Sequence, residues 1–176
     1  MATKSSLAEV WQRGPIVAIP NLLQPVAHAL LQAREEINLL LLNFDENLLW
    51  QNPDGLASIG FHLQHLSGVL DRIFTYARQE QLTAQQFVLL DEEKNPPQAI
   101  LNLQHLIARF NKQVDTALLQ LQNTEEQNLT AVRIMGRKKI ATTHIGLLVH
   151  AAEHTMRHVG QLLVTIKFVQ YQNSKI

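Results

Sequence analysis

The stretch Leu147–Leu163, LLVHAAEHTMRHVGQLL, places His150, His154 and His158 four residues apart on a segment whose apolar residues recur at helical spacing. Leu147, Leu148, Ala151, Leu162, Ile166 and Val169 set its inward stripe. Each four-residue step turns about 400°, so successive imidazoles drift by roughly 40° around the cylinder. His154 and His158 fall within or beside the stripe, and His150 lies on its edge. His144 also points inward, but it sits ~15 Å along the axis from His154, too far to share an ion with it. The helix starts near Thr142 or Thr143, both suitable N-caps, and extends towards Gln170.

Working outward, three more amphipathic segments precede this one. The first runs roughly from Asn21 to Phe44, with Leu23, Val26, Leu30, Ile37, Leu41 and Phe44 on one stripe. The second follows the breaker NPDG and runs from about Ser58 to Gln79, with Ile59, Leu66, Leu70 and Ile73 inward. The third follows NPP, where Asn95 can cap and a proline suits the first turn; it carries Ile100, Leu103, Ile107, Phe110, Val114 and Leu121. Four helices of about 20 to 28 residues, each polar on its far side, predict an all-α four-helix bundle, as a single domain over 1–176. Before the last helix, LTAVRIMGRKKIATT has strand-like content and one glycine in a basic run, which predicts a short hairpin or loop.

Composition narrows the function. The 176 residues are 46% apolar and 17% charged, a globular balance. Fifteen basic and fifteen acidic side chains cancel, which removes the electrostatic argument for nucleic acid or an anionic membrane as partner. There is no cysteine, so disulfides, thiolate ligands and a catalytic thiol are excluded, and any metal must be held by His, Asp or Glu. No apolar run approaches the ~20 residues needed to span a bilayer, and the opening MATKSSLAEVWQRGP lacks the apolar centre of a signal peptide. A cytoplasmic protein is expected.

The second helix offers two more histidines, in SIGFHLQHLSG. His62 lies near the centre of the apolar stripe and His65 on its flank, above Val69, so helical angle favours His62. His28 and His105 fall on the polar sides of the first and third helices and are expected to be solvated. An H-x-x-x-H pair on the last helix plus one His from the second would bring three imidazoles to one ion. Residues i and i+4 are neighbours on a helix, and a neutral imidazole nitrogen binds borderline divalent metals well. The plainer reading is interior histidines hydrogen-bonded to local acceptors. Two on one face with a third on a facing helix favour the metal.

The block HAAEHTMRHVGQL, together with LLWQNPDGLASIGFHLQHLSG upstream, resembles the DinB/YfiT-like superfamily. The resemblance covers most of the chain and implies a four-helix bundle that binds a divalent metal through one His on the second helix and an H-x-x-x-H pair on the last. Carried across, that pair and the Gly-Gln after it fall on His154, His158, Gly160 and Gln161. The family's remaining ligand lies seven residues after a helix-starting Ser or Thr; counting from Ser58 gives His65, whereas the helical angle prefers His62. Some relatives are transferases or isomerases that use a low-molecular-weight thiol, and others are described as hydrolases. The fold alone does not choose among these.

Other residues have possible roles. Arg34, inside the first helix's stripe, suits bidentate recognition of a substrate carboxylate or phosphate, or else pairs with an acid. Arg133, Arg137, Lys138 and Lys139 would form a basic rim that steers an acidic substrate, or a solvated loop. Glu153 and Arg157 are spaced for an exposed ion pair, and Glu153 points away from ligation. Trp11 and Trp50 are expected to pack the bundle's ends. Gly160 would allow close helix approach, and Gln161 would orient a ligand imidazole.

The expected protein is therefore a metalloenzyme whose three-His site, His65, His154 and His158, leaves at least one position open. His62, His150, Gln161 and Arg34 are the residues beside it. The expected ion is divalent, zinc or nickel before iron or manganese, and the expected partner is a small-molecule substrate, with or without a thiol. The alternative is a non-catalytic metal-binding or dimerising helical bundle, in which a structural zinc site would normally be closed by a fourth protein ligand. A homodimer fits either reading.

Overall fold

The computed structural model describes residues 8–97 and 101–174. The opening residues 1–7 of the N-terminal stretch, and Ile100 of the third stripe, lie outside that description. Four long helices form where the periodicity puts them: α1 (Gln24–Leu40), α2 (Ile59–Ala77), α4 (Leu103–Gln122) and α5 (His144–Asn173). A short α3 (Ala84–Glu92) separates α2 from α4, and β1 (Val132–Met135) and β2 (Ile140–Thr143) precede α5. The molecule is thus mostly helical with a small two-stranded sheet, rather than purely helical.

All of these helices except α1 start on a side-chain cap. The Ser58 hydroxyl accepts from the Phe61 amide at 3.1 Å and fixes the first turn of α2. Thr143, one of the two expected caps, accepts from the Gly146 amide at 3.1 Å and starts α5. The third long helix is capped by Asn102, whose side chain accepts from the His105 amide at 2.8 Å, and not by Asn95; the NPP stretch lies before the helix. Helix α3 has no counterpart in the stripe analysis, because among its residues only Gln86 is buried. A capping box between Thr83 and Gln86 starts it, and the Gln86 amide bonds Asp71 Oδ2 and Thr75 Oγ1 of α2 at 2.9 and 2.8 Å.

Helices α2 and α5 pack against each other, as do α2 and α4, α1 and α5, and α1 and α4. Leu30 and Ile37 of α1, Leu66 and Leu70 of α2, Phe110 of α4 and Leu148 and Leu162 of α5 are all fully buried between them. Burying such side chains contributes about 1.5–3 kcal/mol each and holds the four helices in register. Trp50 packs on the start of α2, where a Cβ at Gly60 would come within 2.4 Å of its ring. Trp11 does not pack in this way: it is 60% exposed.

The antiparallel hairpin, with Val132 opposite Thr143, ties down the start of α5. The amides of His144 and Ile145 donate to the carbonyls of Ala131 and Leu129 at 2.9 and 2.8 Å. Buried Arg133 reaches back to α2, donating to the Ala77 carbonyl at 2.6 Å, and lies 3.2 Å from His144 Nδ1. The hairpin therefore sets where α5 stands along α2, and so which turns of the two helices face each other. Among the described residues no helix is long and apolar enough to cross a membrane.

Candidate metal centre

That register places the histidines of α2 against those of α5. One ring nitrogen from each of His65, His154 and His158 lies within 4.8 Å of the other two, and all three residues are half-buried. Their ring centroids are 4.5 Å (His65 to His158), 4.7 Å (His154 to His158) and 5.3 Å (His65 to His154) apart. Nε2 of His65 lies 3.1 Å from Nε2 of His154. Two nitrogens bound at zinc distances to one tetrahedral ion would stand about 3.3 Å apart, so this pair fits a shared cation.

His62 belongs to the same cluster. It is buried, and its Nδ1 lies 3.3 Å from Nδ1 of His158. Both histidines of α2 thus meet α5, His65 beside His154 and His62 beside His158. Burial pushes the His62 imidazole down to about 4, helped by His65. Burial also pushes His158 down to about 4, with His65, His154 and His62 adding to the effect. His154 is lowered by burial and then by His65. At neutral pH these rings keep a lone pair, the form that a cation needs.

Sequence reasoning missed three residues behind His65. Glu93, just beyond α3, is buried, and its Oε2 lies 2.8 Å from Nδ1 of His65. Arg72 Nη1 donates to Glu93 Oε1 at 2.6 Å. Burial acts to raise the Glu93 carboxyl, but the hydrogen bonds from His65 and Arg72 outweigh it and hold it below the ordinary value. Gly68 makes room: a Cβ there would come within 2.3 Å of Glu93 Oε1 and 2.6 Å of Arg72 Nη1. The sequence signal was a glycine and an arginine three and seven residues after His65, both on the histidine's side of the helix.

Other expected residues fall elsewhere. His150 Nδ1 meets Glu153 Oε1 at 2.9 Å, and its ring lies 5.4 Å from that of His154. Glu153 makes the expected ion pair with Arg157, at 2.6 Å. It is exposed, as its position on the helix wheel predicts, and with His150 and His154 it forms a second, more exposed group with ligand spacing. Arg34 takes the acid-paired form, 2.5 Å from Asp115 on α4, and shares no hydrogen bond with the histidines. His105 is exposed as expected, whereas His28 is half-buried, 3.1 Å from the Gly14 carbonyl. Gly160 is exposed and a Cβ there would meet nothing within 4 Å, so close helix approach is not its role. Gln161 is exposed and makes no hydrogen bond to a ligand imidazole.

Two cavities flank the cluster along the α2–α5 pair. One of about 600 Å³ is lined by His62 and His158 with Leu56, Phe61, Gln161 and Val164. The other, of about 710 Å³, reaches Arg72 and His150, with Phe87 and Arg137 in its wall. Of the four basic residues ahead of α5, only Arg137 lines that cavity, its guanidinium 5.4 Å over the Phe87 ring, while Arg133 is structural.

A mostly helical chain in which two long helices bring together an imidazole cluster able to hold a metal ion defines the class. The chain belongs to the DinB superfamily, whose family model matches residues 29–162, a span that includes His62, His65, His154 and His158. A solved structure of a Streptococcus pneumoniae protein, from the Northeast Structural Genomics Consortium, is similar in fold. It is 17% identical, with a TM-score of 0.61 over 84% of this chain and 88% of that one. No curated protein matches the chain significantly.

Proposed function

We propose that this protein is a cytoplasmic, divalent-metal-dependent enzyme acting on a small molecule, in which His65, His154 and His158 hold one ion within a single four-helix-bundle domain made of α1, α2, α4 and α5. The observation that carries this reading is the convergence of one nitrogen from each of the three rings within 4.8 Å. Rings with lowered proton affinity, donors only of nitrogen, and the absence of cysteine suit zinc or nickel before iron or manganese. Three neutral ligands would leave an ion its full charge, with which it lowers the pKa of a water or thiol and polarises a carbonyl.

The residues around the cluster have separable tasks. His62, neutral and buried, shares a proton with Nδ1 of His158 and fixes that ring's direction. Leu56, Phe61 and Val164 give the neighbouring cavity an apolar wall that limits water and accepts the body of a small substrate. Gln161 stands in the same wall as a polar group for that substrate. Transfer of a low-molecular-weight thiol, isomerisation, or hydrolysis all suit such a site. Balanced net charge argues against nucleic acid as partner.

The test is metal analysis of protein purified without a chelating tag, followed by a screen of thiols against small electrophiles. About one ion per chain and turnover that depends on it support the enzyme. One tightly held ion with no turnover in thiol, isomerase or hydrolase assays supports the non-catalytic bundle.

A further inference from the structure

We infer that Glu93 is a positioning residue for His65, fixing which of its ring nitrogens carries the proton, and that the missing side chain at Gly68 is what admits Glu93 to that place. The contact is specific: Glu93 Oε2 lies 2.8 Å from Nδ1 of His65, while the other carboxylate oxygen is taken by the guanidinium of Arg72 at 2.6 Å. An ionised carboxylate can only accept, so the proton of the contact sits on His65 Nδ1. In the neutral ring that leaves the lone pair on Nε2, the atom that lies 3.1 Å from Nε2 of His154. A neutral histidine without such a partner divides its proton between the two nitrogens, and the wrong tautomer presents an N–H where a lone pair is needed.

Among the described residues, His65 is the one ring of the three with a hydrogen-bonded carboxylate. His158 meets the neutral His62, and Nδ1 of His154 is buried without any hydrogen-bond partner. Phe61 stacks on the His65 ring at 5.4 Å with 8° between the planes, which restrains its tilt but does not distinguish one nitrogen from the other. The tautomer therefore depends on Glu93. Arg72 pairs with the buried carboxylate, donating to Oε1 at 2.6 Å and, more weakly, to Oε2 at 3.4 Å.

Gly68 is the steric condition for this arrangement. A methyl group at this position would overlap both Glu93 Oε1, at 2.3 Å, and Arg72 Nη1, at 2.6 Å. Glycine is disfavoured in a helix interior relative to alanine, yet α2 carries it, buried, at a position where nothing larger fits without displacing this pair. Because the pair must retreat when a side chain is added, Gly68→Ala should act on His65 through Glu93.

The tautomer can be read in the metal-free full chain, so this test stands apart from the metal reading on which its second half rests. Long-range 1H–15N correlation of histidine-labelled protein should show His65 protonated at Nδ1 and bare at Nε2. Glu93→Ala and Gly68→Ala should each return it to a mixture, whereas Glu93→Gln, whose single oxygen is taken by Arg72, should turn its NH2 towards His65 and move the ring proton to Nε2. Zinc affinity should fall by roughly 10–100-fold in Glu93→Ala, Gly68→Ala and Glu93→Gln, and the Glu93→Ala/Gly68→Ala double variant should lose little beyond Glu93→Ala alone. Protonation of wild-type His65 at Nε2 would overturn the inference whether or not any variant folds. So would variants that lower Tm while leaving tautomer and affinity unchanged. A wild-type chain that shows the Nδ1 tautomer but takes up no zinc would sink the metal reading and leave the role of Glu93 standing.

Discussion

His62 Nδ1 stands 3.3 Å from Nδ1 of His158, one turn of α2 away from where His65 Nε2 meets Nε2 of His154 at 3.1 Å. Two histidines of one helix thus serve two histidines of another, and they serve them differently. His62 is buried, with burial first among the causes that push it down to about 4, while His65 lies within the group whose nitrogens converge.

It follows that His65→Ala should weaken metal binding more than His62→Ala. The first removes a convergent nitrogen, whereas the second removes a partner of His158, a loss of the kind that typically costs 10–100-fold. Competition titrations with a chelating dye would rank the two variants. A larger loss in His62→Ala would show that the helix-angle reading, and not the motif count, identifies the α2 ligand.

His154→Ala or His158→Ala should each remove most of the bound metal. Both nitrogens lie within 4.8 Å of the other two, and two remaining imidazoles hold a divalent ion weakly. Elemental analysis of the purified variants is the check, with near-wild-type content in both as the contrary result.

Acidity should destabilise the metal-free protein in a defined window. His62 and His158 have folded values of about 4 against an ordinary 6.5, so between these values the unfolded chain takes up protons that the folded one refuses. Stability therefore falls as pH drops from 6.5 towards 4 and levels for these groups below that. Urea midpoints measured across this range test it. Protons also compete with the ion, so metal should be lost as the pH falls below about 6.5, and occupancy unchanged at about pH 3 would contradict an imidazole site.

Gly160→Ala should be tolerated or stabilising by about 0.5–1 kcal/mol, because it lies in a helix interior and a Cβ there meets open space. Thermal unfolding would measure this, and destabilisation by more than about 1 kcal/mol would show a packing role that the geometry lacks.

These residues also show what the sequence could and could not reveal. Helices with a wide buried stripe were legible: Leu30 and Ile37, or Leu148 and Leu162, repeat at the helical period because each faces the core. Helix α3 was not, since a helix that buries little beyond Gln86 leaves no periodic trace. The meeting of His154 and His158 with α2 could be read from spacing and direction. The choice between His62 and His65 could not, because it depends on how α2 is rotated against α5, and both rings reach the neighbour. Glu93 was invisible because its contact joins residues 28 apart through a short helix, and the trace it leaves on α2 is a glycine and an arginine. Gly160 was misjudged by its adjacency to the motif; two residues past His158 it lies about 200° around the helix and faces out.

Whether the proposed three-histidine site leaves a position open is decided by cobalt titration of the metal-free full chain, followed by visible absorption on adding azide or a small thiol. One equivalent should bind with the intense bands of a four- or five-coordinate site, and the spectrum should shift with the added ligand, because three protein nitrogens leave a vacancy and the chain has no cysteine to fill it. No cobalt uptake, or a spectrum of four protein donors indifferent to both additives, would contradict the open three-histidine site.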